Sequence, residues 1–74
     1  KNNKLIRKYE FDSFMKAIEF INKVAEVAEE MDHHPLIKNV YSTVEFELWS
    51  HDQNAITDSD YSLAEAIETL REGM

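Results

Sequence analysis

Between Phe14 and Met31 apolar side chains recur with the period of an α-helix, and neither glycine nor proline interrupts them. Phe14, Ile18, Ile21, Ala25 and Ala28 form one stripe; Phe20, Val24, Val27 and Met31 form a second beside it. At about 100° per residue the two merge into an apolar arc about 180° wide. Covering one sheet face takes a narrower stripe, so the arc implies a second packing surface such as a subunit contact. Lys16, Glu19, Lys23, Glu26 and Glu30 occupy the opposite side, and Glu29 falls at its edge.

The rest of the chain arranges itself around this helix. Leu5 to Phe11 alternates, with Leu5, Tyr9 and Phe11 on one face and Arg7 interrupting it, which predicts a half-buried strand. Asp12 or Ser13 offers an oxygen to cap the helix that follows. Asp32-His33-His34-Pro35 stops that helix, because the residue before proline is pushed out of helical geometry. Asn39 to Ser50 reads as two strands about a tight turn near Tyr41-Ser42-Thr43. In the second of them Val44, Phe46 and Leu48 alternate with Glu45, Glu47 and Trp49. After a polar loop from His51 to Ile56, Thr57 with Asp60 three residues on marks a helix start. Leu63, Ile67 and Leu70 supply its inward stripe. With one apolar sheet face and two helices to cover it, the economical packing is an α+β sandwich: an antiparallel β-sheet with both helices packed on one face.

A chain of 74 residues supports one domain, spanning residues 1–74, with a small core. It has no cysteine, so neither a disulfide nor a thiolate metal site can reinforce it, and self-association is the remaining common device. Asp and Glu number 15 against 8 Lys and Arg, a net charge of −7. Such a surface repels phosphates, which argues against nucleic acid or an anionic membrane as partner. No apolar run approaches the roughly 20 residues of a membrane span. The first residue is Lys1 rather than methionine, and the natural N-terminus is expected to lie upstream of it.

The chemistry-bearing residues fall at element ends. His33 and His34 follow the first helix, and His51 follows the last strand. Histidine titrates near neutral pH and can both give and take a proton there. Glu29 lies one helical turn before His33, and Asp60 lies in the first turn of the last helix; a carboxylate beside an imidazole fixes its tautomer and favours its protonated form. Taken singly, each has a plain structural reading: His51 as a surface side chain, Pro35 as a helix stop, Glu29 as a solvated helix residue, Asp60 as half of a capping box, Trp49 as core. Three histidines can hold zinc, yet His33 and His34 are adjacent and point roughly opposite ways in an extended loop, so no metal site is expected. Neither a serine or cysteine nucleophile motif nor a glycine-rich phosphate loop is present.

Together these residues resemble the signature of the pterin-4a-carbinolamine dehydratases, the dimerisation cofactors of a homeodomain transcription factor. The pattern is an acidic residue, three positions, then His-His-Pro, matched by Glu29 and His33-His34-Pro35. An aromatic residue follows, matched by Tyr41, then a histidine matched by His51 and an aspartate matched by Asp60. Tyr9-Glu10-Phe11, Trp49-Ser50-His51 and Ile56-Thr57 also look like the family, so the likeness runs from about Leu5 to Leu70. Two features depart from it: relatives usually carry a further N-terminal helix and strand, and the loop from Asp52 to Ile56 lacks the glycine they often have.

The resemblance implies a dehydratase-like α+β fold and the dehydration of 4a-hydroxytetrahydrobiopterin, or a related pterin, to the quinonoid dihydropterin in cofactor recycling. It implies His33 and His51 as general acids and bases, His34 as the residue that orients the pterin, Glu29 as a hydrogen-bond partner holding His33, and Asp60 as support from the last helix. His33, His34, Pro35 and the Ser50, His51, Asp52 and Gln53 segment would contact the substrate. No cofactor beyond the pterin substrate, a homodimer or homotetramer, and a cytoplasmic location complete the expectation. The competing function is a non-catalytic dimerisation scaffold or coactivator-like partner using the same fold.

Overall fold

The computed structural model describes residues 3–74, so the expectation attached to Lys1 lies outside the described residues. Elements run in the order β1 (Leu5–Glu10), α1 (Phe14–Met31), β2 (Leu36–Val40), β3 (Thr43–Leu48) and α2 (Asp58–Glu72). The three strands form one antiparallel sheet ordered β1-β3-β2, with Phe46 opposite Arg7 on one side and Ile37 on the other. Both helices contribute to a single core against it, as the α+β reading expected. Ala17, Phe20 and Val24 of α1 meet Val44, Phe46 and Leu48 of β3 and Leu63, Ala64 and Ile67 of α2. Phe20 and Phe46 pack edge to face at 5.9 Å, and Tyr9 meets Phe20 likewise at 5.4 Å. This is the arrangement the ring quadrupole favours.

Of the two stripes on α1, the one through Phe20 and Val24 faces the core, while Phe14 and Met15 stay exposed on the other side. Ser13 caps the helix: its extended backbone turns the Oγ to accept the Lys16 N–H at 3.1 Å. Ser13→Ala is expected to cost about 1 kcal/mol, read as a lower urea midpoint at unchanged slope. At the other end Asp32 adopts φ 52°, ψ 43°, and the His33 N–H reaches back to the Ala28 carbonyl at 3.0 Å. A left-handed residue closing that bond reverses the chain, which carries His33 toward the first turn of α2.

β2 begins at Leu36, three residues before the Asn39 expected from sequence. Leu36 and Ile37 are both apolar and hide the alternation, but Glu47 and Phe46 of the central strand offer them partners. On the outward sheet face Glu47 receives Lys4 at 3.2 Å and Lys38 at 3.0 Å. Hydrogen bonds from Lys38 and then Lys4 hold its carboxyl below the usual glutamate range.

Candidate active site

Three elements converge at one end of the sandwich: the reversal after α1, the tip of β3, and the first turn of α2. Their junction is a cavity of about 410 Å³ walled by Asp32, His33, His34, Trp49, Ser50, His51, Asp52, Gln53, Thr57 and Ser59. The left-handed Asp32 aims His33 inward, leaving its side chain 17 % exposed. His34, next along the chain, also borders the cavity but pairs with Glu29 and is 58 % exposed. His51 stands at the end of β3 with its ring 4.4 Å from that of Trp49, and the Lys4 ammonium lies 4.6 Å from the centre of the indole. The loop beyond closes through Ser50 and Ala55, whose backbones exchange hydrogen bonds of 2.8 and 3.3 Å. Asn54 takes φ 52° in this loop and supplies the left-handed conformation without the expected glycine. Asparagine tolerates that region better than most residues.

Behind the cavity sits Asp60, fully buried. Its Oδ1 lies 2.5 Å from His33 Nε2. Its Oδ2 accepts the Ser50 hydroxyl at 3.0 Å and the Thr57 N–H at 2.9 Å. Burial alone would push this carboxyl up; the hydrogen bonds from His33, Thr57 and Ser50 outweigh it and hold it below the ordinary aspartate value. Stability from such a group is fully present above its unfolded pKa, about 3.9, and is lost as pH falls through the lower folded value. The urea midpoint is therefore expected to drop more steeply below about pH 4 in the parent chain than in Asp60→Asn. Equal slopes would show that Asp60 is not the source.

One pairing differs from expectation. Glu29 does not hold His33: its Oε1 lies 2.9 Å from His34 Nε2, and its side chain is 80 % exposed. By residue count Glu29 lies one turn below His33, but the reversal at Asp32 carries His33 away toward α2 and brings His34 to Glu29. Glu29 and Pro35 are absent from the cavity wall, and Asp60 supports it from behind. Ser50 does line the cavity, but its hydroxyl is committed inward. Thr57, Asp32, Trp49 and Ser59 belong to the wall without having been singled out as site residues. The Thr57-to-Asp60 spacing was the available signal for Thr57, read there only as a helix start. Among the described residues no group of three or more His, Cys, Asp or Glu side chains is arranged to hold a metal ion. His33 and His34 turn to different carboxylates.

A family model for pterin 4 alpha carbinolamine dehydratase matches residues 1–70. The chain belongs to that family. Among dehydratase-family relatives, a Prochlorococcus marinus (strain MIT 9303) protein named "Putative pterin-4-alpha-carbinolamine dehydratase" is 46% identical over 72 residues, covering 97% of this chain and 75% of its own length. A protein of the same name from Koribacter versatilis is 50% identical over 64 residues, 86% of this chain and 68% of its own. The crystal structure of a transcriptional coactivator/pterin dehydratase from Brucella melitensis superposes with a TM-score of 0.89 at 30% identity, covering 93% of this chain and 73% of that one. A pterin dehydratase-like protein identified as a RuBisCO assembly factor in the alpha-carboxysome shares the fold at a TM-score of 0.80 and 21% identity, over 95% of this chain and 81% of its own. The dehydratase family thus has an α+β architecture that this chain reproduces. Among the described residues no helix is long and apolar enough to cross a membrane.

Proposed function

We propose that this chain dehydrates a 4a-hydroxytetrahydropterin to the quinonoid dihydropterin by histidine acid–base catalysis. The observation that carries the reading is the meeting of His33, His34 and His51 on one cavity, with a buried carboxylate behind the most enclosed of them. At about 410 Å³ the cavity falls in the roughly 300–1,000 Å³ range of small-molecule sites. Breaking the C4a–O bond requires a proton on the departing oxygen, which leaves as water. Forming the C4a=N5 bond requires a base to take the N5 proton. His33 and His51 supply these two functions, and the protons balance with no redox partner. His34, steadied by Glu29, orients the ring at the mouth, while the backbone from Ser50 to Gln53 follows the pterin edge.

A two-imidazole mechanism makes the rate sensitive to pH where imidazole titrates. Purified chain is expected to accelerate loss of 4a-hydroxytetrahydropterin over the buffer rate, with kcat/KM bending between pH 5 and 8. A flat profile across that range would count against the histidines as proton carriers.

A second reading draws on the outward face of α1, where Met15 is 70 % exposed beside Phe14. That face suits self-association into a homodimer or homotetramer, or a scaffold role without catalysis. Absence of turnover in a folded, self-associated chain would favour the scaffold.

A further inference from the structure

The Asp60 carboxylate offers two oxygens, and they are used unequally. Oδ2 accepts the Thr57 N–H and the Ser50 hydroxyl; Thr57 Oγ1 stands 3.4 Å from it, too far to compete with its closer contact to Ser50 Oγ. Oδ1 meets His33. Ser50 is itself buried, and its Oγ lies 2.6 Å from Thr57 Oγ1. Since the single Ser50 hydroxyl proton points to Asp60, Thr57 donates to Ser50. The two hydroxyls thus form a directed chain ending on one carboxylate oxygen, which fixes the rotation of the carboxylate and leaves Oδ1, among the described residues, to His33 alone.

An ionised carboxylate can only accept hydrogen bonds. The His33 nitrogen facing Oδ1 is Nε2, so Nε2 must carry a proton. Among the described residues His33 Nδ1 has no hydrogen-bond partner, and no buried side-chain nitrogen or oxygen is left without one. Nδ1 is therefore the nitrogen that remains accessible, on a side chain that lines the cavity. We propose that Ser50 and Thr57 are positioning residues that lock Asp60, and through it hold His33 in the Nε2-protonated form with Nδ1 presented to the substrate. Ser50 thereby acts on His33 from behind the wall, rather than on the pterin through its side chain. The consequence for rate rests on the dehydratase reading; the consequence for the tautomer does not.

The test is ¹⁵N NMR of the imidazole nitrogens in the full chain, paired with pterin turnover. In the parent, neutral His33 is expected to carry its proton on Nε2. In Asp60→Asn, the Thr57 N–H retains the amide oxygen and turns the NH₂ toward His33, so Nε2 must accept and the proton moves to Nδ1. Ser50→Ala is expected to mix the two forms and lower kcat about 10-fold, with KM within about twofold. Ser50→Thr, which keeps the hydroxyl, should restore both readouts. Thr57→Val keeps the backbone cap but removes the hydroxyl, and serves as a second test should Ser50→Ala fail to fold; it too should mix the tautomers. A parent His33 protonated on Nδ1 overturns the proposal. So does a parent-like tautomer in Ser50→Ala and Thr57→Val, which would leave the hydroxyls a purely structural role. If the chain shows no dehydratase turnover, the proton position on His33 still decides.

Discussion

His33→Ala is expected to lower kcat by about 10²–10⁴-fold, with His51→Ala in the same range, the usual contribution of a positioned acid or base. In the proposed reaction each variant would remove one of the two proton carriers, so neither would be rescued by the other residue. The His33 variant also strands Asp60: its Oδ1 loses its only hydrogen-bond partner among the described residues, in a fully buried setting. An unsatisfied buried acceptor costs about 1–3 kcal/mol, so a fall in the melting midpoint accompanies the kinetic loss and must be measured separately. His51 carries no such burden, being exposed at the strand tip. Its variant therefore separates chemistry from stability more cleanly. Glu29→Gln is expected to have a much smaller effect than either histidine variant, because its contact with His34 is a solvent-facing pair of small energetic value. Turnover at the parent rate in both histidine variants would show that His33 and His51 are not the proton carriers.

Phe46→Ala is expected to remove about 3–5 kcal/mol of stability, the usual cost of deleting a buried phenylalanine. A 74-residue chain has about 4–11 kcal/mol in total at the ordinary range per residue. Phe46 has no exposed surface, sits on the strand paired on both sides, and meets the rings of Phe20 at 5.9 Å and Tyr9 at 6.3 Å. Neighbouring aromatic rings cannot collapse into the space without breaking these edge contacts. The thermal midpoint should fall by about 15 °C or more, followed by circular dichroism. A drop of only a few degrees would mean that the core relaxes around the void and is less tightly packed than its geometry indicates.

Much of the architecture was legible because its signals are local. The limits of α1 followed from an uninterrupted period, a serine ahead of it and a proline beyond. The inward faces of β3 and α2 followed from alternation and from the spacing of Leu63, Ile67 and Leu70. What remained hidden depended on backbone handedness and on partners distant in the chain. The left-handed conformation of Asp32 decides which imidazole faces inward, and aspartate, which enters that region more readily than most residues, signals it only weakly. Hence Glu29 was matched to the wrong histidine. Likewise the Thr57-Asp60 spacing spoke for a helix start, while its second use became visible only once Ser50, from another element, was seen to share the same oxygen.

The strand that bears Trp49, Ser50 and His51 at its tip is the central one, paired along both edges and rooted in the core by Val44, Phe46 and Leu48. Segments of that kind open only when the whole molecule opens, unlike mobile lids that fray first. Heat inactivation should therefore arrive together with global melting instead of preceding it, and a mildly warmed sample should lose neither ring geometry nor turnover while its ends are already exchanging hydrogen with solvent.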